Sequence, residues 1–181
     1  MARTRSFDPR RLDIAAFADD GGALEGELAQ AAFGRLSTSL LALPGDVTPS
    51  AVPWQAEGEK RRAAGATPEL WLHLRAQTTV TLECQRCLQP MTEALALDRW
   101  FRFAADEDEA ARLDEASEED VLVASRAFDL QELLEDELIL ALPLVPRHAV
   151  CPEPLPQLAA DEGDAAAPNP FAALAALRRS D

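Results

Sequence analysis

The chain has 181 residues, 48% of them hydrophobic, and a formal net charge of −15. That length supports one domain with its own core and is short for two. The charge disfavours unaided wrapping around nucleic acid, which needs a basic face, and favours basic partners.

No apolar run reaches the roughly 18 residues of a membrane span. The start, "MARTRSFDPRRLD", lacks the apolar core of a secretory signal. Cys84, Cys87 and Cys151 are an odd set, which fits a disulfide framework poorly, so a reducing cytoplasm is the expected compartment.

In "FDPRRLDIAAFA", Asp8 is placed as an N-cap and Pro9 as the first helical residue. This predicts a short helix with Leu12, Ala15 and Ala16 on one face, ended by Asp19-Asp20-Gly21-Gly22. "ALEGELAQAAFGRLSTSLLAL" is interrupted by Gly26 and Gly34 and reads as a strand, a turn and a second strand. Residues 44–68 hold Gly45, Gly58, Gly65 and several prolines, which predicts a long connection with Trp54 as an anchor inside it.

"ELWLHLRAQTTVTLEC" carries the clearest strand signal. Leu70, Leu72, Leu74, Ala76, Thr78, Val80, Leu82 and Cys84 alternate with a more polar set that includes Arg75 and Gln77. Period two puts the first set on the core face and leaves His73 solvated. "MTEALALDRWFRF" continues as an antiparallel partner, so Cys84 and Cys87 fall at the connecting turn.

Residues 105–120, "ADEDEAARLDEASEED", repel one another and predict a mobile loop; "VLVAS" then reads as a short strand. "DLQELLEDELILALP" is the strongest helix, capped by Asp129, supported by Glu132 and stopped by Pro143. Leu130, Leu133, Leu134, Leu138, Ala141 and Leu142 form its apolar stripe, and Glu135, Asp136 and Glu137 read as a solvated face. Residues 152–168 read as a disordered linker. In "NPFAALAALRR", Asn169 caps a helix over 169–179 that starts at Pro170 and spaces Phe171, Leu174 and Leu177 along one side. At about ten residues it is marginal alone and needs a surface to dock on.

The expected class is α+β: an antiparallel sheet packed against one or more helices, with a mobile acidic loop and a linked C-terminal helix. The expected division is a domain over 1–151, the linker, and the docking helix.

Cysteine spacing carries the chemistry. C-x-x-C at 84–87 and H-x-x-C at 148–151 together offer Cys84, Cys87, His148 and Cys151. A two-residue gap lets two ligands reach one tetrahedral ion, and three cysteines with one histidine make a closed, structural zinc set. The alternative is packed, reduced thiols with His148 on the surface. A redox pair is a third reading, but such pairs usually open a helix, whereas here a strand precedes and Pro90 follows. No glycine-rich phosphate loop and no constellation for nucleophilic catalysis is present in the sequence. Arg3, Arg5, Arg10 and Arg11, and separately Lys60, Arg61 and Arg62, are the basic clusters that could touch phosphate.

"VTLECQRCLQP", an acidic interval, "DLQELLEDELILALPLVPRHAVC" and "NPFAALAALRR" together resemble the YceD family, the large ribosomal RNA subunit accumulation proteins of bacteria and plastids. The resemblance implies a cytoplasmic, non-catalytic factor needed for large-subunit rRNA. Its implied partners are the large-subunit precursor and either a basic ribosomal protein or rRNA. Family-like positions here include Arg86, Asp129, Glu137, Leu142 and Pro143 beside the cysteines and His148. Arg86, Glu137, Asn169, Pro170, Phe171 and Leu174 are the candidate partner-binding residues.

Overall fold

The computed structural model describes residues 6–42, 50–62 and 67–152. The chain divides into two compact units, Met1–His148 and Ala149–Asp181. Arg3, Arg5 and the helix expected at 169–179 lie outside the described residues.

Among its described residues the first unit is built on one open five-stranded sheet, whose spatial order follows the chain. Its strands are β1 (Ala23–Ala29), β2 (Ala51–Arg61), β3 (Glu69–Glu83), β4 (Pro90–Ala104) and β5 (Asp120–Val123). The first four pair antiparallel, and β5 runs parallel to β4. Among the described residues four α-helices accompany it: α1 (Ile14–Asp19), α2 (Gly34–Thr38), α3 (Glu107–Asp114) and α4 (Leu130–Leu140). The α+β class stands.

The long β3–β4 hairpin is the spine. Alternation on β3 reads directly as burial: Leu72, Leu74, Ala76, Thr78, Val80, Leu82 and Cys84 are all buried. On the same face of β4, Phe101, Leu97, Leu95 and Met91 lie opposite Leu72, Ala76, Thr78 and Leu82, and Phe103 lies opposite Leu70. Phe17 of α1 and Leu130, Leu134 and Leu138 of α4 complete this core.

Several expectations are corrected. The helix near Pro9 begins five residues later, because Asp13, not Asp8, caps it by accepting from the Ala16 N–H. Leu12 is instead held extended by a backbone pair with Phe128, at 2.8 and 2.9 Å. The second strand expected after Gly34 is α2. Much of the expected connection over 44–68 is β2, with Val52, Trp54 and Ala56 facing the core. Pro53 is tolerated because pairing with β3 begins only at Trp54.

The acidic stretch holds a helix rather than a mobile loop. Asp106 accepts from the Glu109 N–H, and the Glu109 carboxylate accepts from the Ala105 N–H, a reciprocal cap. Three acids in the first turn of α3 also complement the helix dipole. Parallel pairing of β5 with β4 requires a crossover, and α3 supplies it.

His73 is not solvated. Its ring stacks on Trp100 with centroids 4.2 Å apart, and Nε2 lies 2.6 Å from Asp98. The Arg61 guanidinium covers both Trp71 and Trp100, at 4.1 and 4.3 Å, which explains how Trp71 is buried on the polar face.

Candidate metal centre

The turn between β3 and β4 runs from Cys84 to Gln89. It closes through Cys84 N–H to the Gln89 carbonyl (3.0 Å) and Leu88 N–H to the Cys84 carbonyl (2.8 Å). Leu88 holds φ at 58°, a left-handed conformation uncommon for leucine.

The chain returns to this turn after α4. Pro143 cannot continue a helix, and the segment beyond it runs alongside residues 84–87. Gln85 N–H donates to the Pro146 carbonyl (2.9 Å), and the Arg86 guanidinium donates to the His148 carbonyl (2.8 Å). His148 N–H donates to Cys84 Sγ, and His148 Nδ1 lies by Cys87 Sγ, both at 3.4 Å. The ligand atoms of Cys84, Cys87 and His148 lie within 4.8 Å of one another. Cys84 is fully buried and Cys87 half-buried. Cys151, also half-buried, follows three residues after His148 and belongs to the second unit.

Burial alone would push the Cys84 thiol up. Backbone N–H groups of His148, Cys87 and Arg86 aimed at Sγ outweigh it and bring the thiol down to about 5. A buried sulfur already surrounded by N–H donors suits a thiolate ligand, so the donor set fits a borderline-soft divalent ion such as zinc.

The other site residues are placed differently. Arg86 is exposed but positions the His148 backbone. Glu137 is corrected: it is 5% exposed and turned inward, 3.5 Å from Arg99, so it does not belong to a solvated face. Burial raises its carboxyl, Arg99 opposes that, and Asp120 and Asp136 add to it. Asn169, Pro170, Phe171 and Leu174 lie outside the described residues. Sequence reasoning missed the stack of His73, Trp100, Arg61 and Trp71. Its signal was an aromatic pair placed on the polar face of neighbouring strands.

Among the described residues no helix is long and apolar enough to cross a membrane. Sheet and turn define an acidic α+β protein whose longest hairpin ends in a cysteine–histidine knuckle. The family model described as large ribosomal RNA subunit accumulation protein YceD matches residues 72–178, and the chain belongs to that family. A curated relative, the large ribosomal RNA subunit accumulation protein YceD of Haemophilus influenzae, is 37% identical over 119 residues. That match covers 58% of this chain and 63% of the relative, less than two thirds of the relative's length. No solved structure matches the chain.

Proposed function

We propose that the protein is a non-catalytic factor in large-subunit rRNA accumulation, acting as an acidic adaptor that holds a basic ribosomal partner on the large-subunit precursor. Family membership carries this reading, and the net charge of −15 favours a basic partner over direct phosphate contact. Direct rRNA binding through Lys60 and Arg61 is less favoured. Lys60 is paired with Asp19, and Arg61 with Glu59 beneath two tryptophans. The test is a pull-down from ribosome-assembly fractions with and without ribonuclease, across a salt series. An adaptor keeps a basic large-subunit protein after ribonuclease. Capture lost with the RNA, or capture that excludes large-subunit components, overturns the reading.

The knuckle is proposed as a structural zinc site held by Cys84, Cys87, His148 and Cys151. Three of these converge within the first unit, and the H-x-x-C spacing supports the fourth. A bound ion would supply a cross-link between the hairpin turn and the segment after α4. Complete burial of Cys84 supports this over redox chemistry, since reactive thiols sit in partly exposed positions. Elemental analysis should find one zinc per chain, and a chelator should lower the melting temperature. Cys84→Ser should abolish both effects. Metal-free protein whose melting a chelator leaves unchanged would return the site to packed thiols.

A further inference from the structure

β1 ends the sheet, and among the described residues it pairs with β2 alone. Its side chains alternate. Glu25 and Glu27 are exposed on the polar face, while Leu24 and Leu28 are half-buried on the helix side. Elsewhere on the polar face Glu57 pairs with Arg75, Glu59 with Arg61 and Glu69 with Arg102, and Asp98 lies against the His73 ring; Glu83, at the hairpin end of β3, has no ion pair among the described residues. Glu25 and Glu27 have none among the described residues, and their in-register neighbours are the uncharged Gln55 and Pro53.

Edge carboxylates also have a plainer use, preventing one sheet from pairing with another. That use leaves the other side of β1 unexplained. The Trp54 indole Nε1 is buried under Gly26 and has no hydrogen-bond partner among the described residues, in a side chain only 8% exposed. A buried donor left unpaired is costly, so an acceptor brought to it would relieve the cost. Beside it lies a cavity of about 210 Å³, bordered by Leu28 of β1, Trp54, and Leu130 and Leu134 of α4, and also by Asp8 and Arg10. On the polar face, a trough of about 710 Å³ runs from Glu25 and Glu27 over Pro53 and Ala96 to Asp98.

We propose that the free edge of β1 is a docking strand for an extended segment of a partner protein in which basic and apolar side chains alternate. Added as a sixth strand, such a segment sets its basic side chains against Glu25 and Glu27 and its apolar ones toward Leu24, Leu28 and the cavity. The inference deepens the adaptor reading, and rests on it, by stating where the basic partner is held and with what pattern.

The test uses the full chain and a capped synthetic peptide of alternating arginine and valine. Binding should be saturable, should protect the outward amides of β1 from hydrogen exchange, and should shift the Trp54 indole N–H resonance. Glu25→Lys with Glu27→Lys should weaken it at least about tenfold, and the milder Glu25→Gln with Glu27→Gln should weaken it in the same direction with the melting temperature retained. Asp114→Lys with Glu115→Lys, an equal change of charge at the exposed end of α3, should change it less than about twofold. Equal loss in both lysine pairs would show attraction by charge alone and overturn the docking strand, while the adaptor reading stands. Amides of β1 already protected in the chain alone would place one of its own segments there and overturn it too. So would no binding, or polyuridine taking the same edge in preference to the peptide. The adaptor reading fails separately, when the ribonuclease-treated pull-down loses its basic large-subunit protein.

Discussion

Glu135 caps a helix it does not belong to. The N-cap position of α2 is Phe33, which has no side-chain acceptor to offer. The Glu135 carboxylate reaches across from α4 and accepts from the N–H groups of Arg35 (2.6 Å) and Leu36 (3.1 Å). Burial pushes its carboxyl up, but those two N–H groups and the Arg35 side chain bring it below its ordinary value. A carboxylate lowered on folding stabilises above its unfolded pKa, and that contribution is lost as pH falls through the folded value. Glu135→Ala should therefore cost about 1–2 kcal/mol near pH 7, and less in acid, in urea titrations at the two pH values. Glu137 has the opposite sign. Its carboxyl is raised, so its contribution is fully present below the unfolded pKa and is lost as pH rises through the folded one. Glu137→Gln should hold or raise stability near pH 7 by up to about 1 kcal/mol. A large loss in that variant would show that the pair with Arg99 outweighs the burial cost.

At the scale of elements, close approach decides where α1 sits. A Cβ at Gly58 would lie 2.6 Å from the Phe17 ring and 2.8 Å from the Phe17 carbonyl oxygen. The Gly58 N–H also donates to the Gly22 carbonyl at 2.8 Å. Backbone cannot yield as a flexible side-chain end can, so Gly58→Ala should destabilise by about 1–3 kcal/mol. Hydrogen exchange should show the loosening centred on α1 and β2. Unchanged stability would mean that α1 can lift from the sheet without cost. The same glycine, with Pro53, hid β2 from sequence reasoning. Both residues read as loop formers, and only the pairing on either side shows why each is allowed. The acidic stretch hid α3 similarly: total charge suggested repulsion, whereas the positions of Asp106 and Glu109 form a reciprocal cap.

Across the whole molecule, the charge of −15 acts against compactness as well as for partner choice. Salt shortens the Debye length from about 10 Å at 0.1 M to about 3 Å at 1 M, so it should weaken this self-repulsion. Thermal melts should shift upward with sodium chloride, while affinity for a basic partner falls. A melting temperature that drops with salt would show that the cross-strand ion pairs of the polar face dominate instead.

Local pattern was enough to place the β3–β4 hairpin, the α4 helix with its Asp129 cap, and the C-x-x-C and H-x-x-C spacings that single out Cys84, Cys87, His148 and Cys151 as candidate ligands. Each depends on periodicity, capping or spacing within one short segment. The return of His148 to the hairpin turn, the approach of Glu137 to Arg99 and the capping of α2 by Glu135 arise from the folded chain alone. Those contacts join residues distant in the chain, and no local pattern encodes which distant partner satisfies a buried charge or an unpaired N–H.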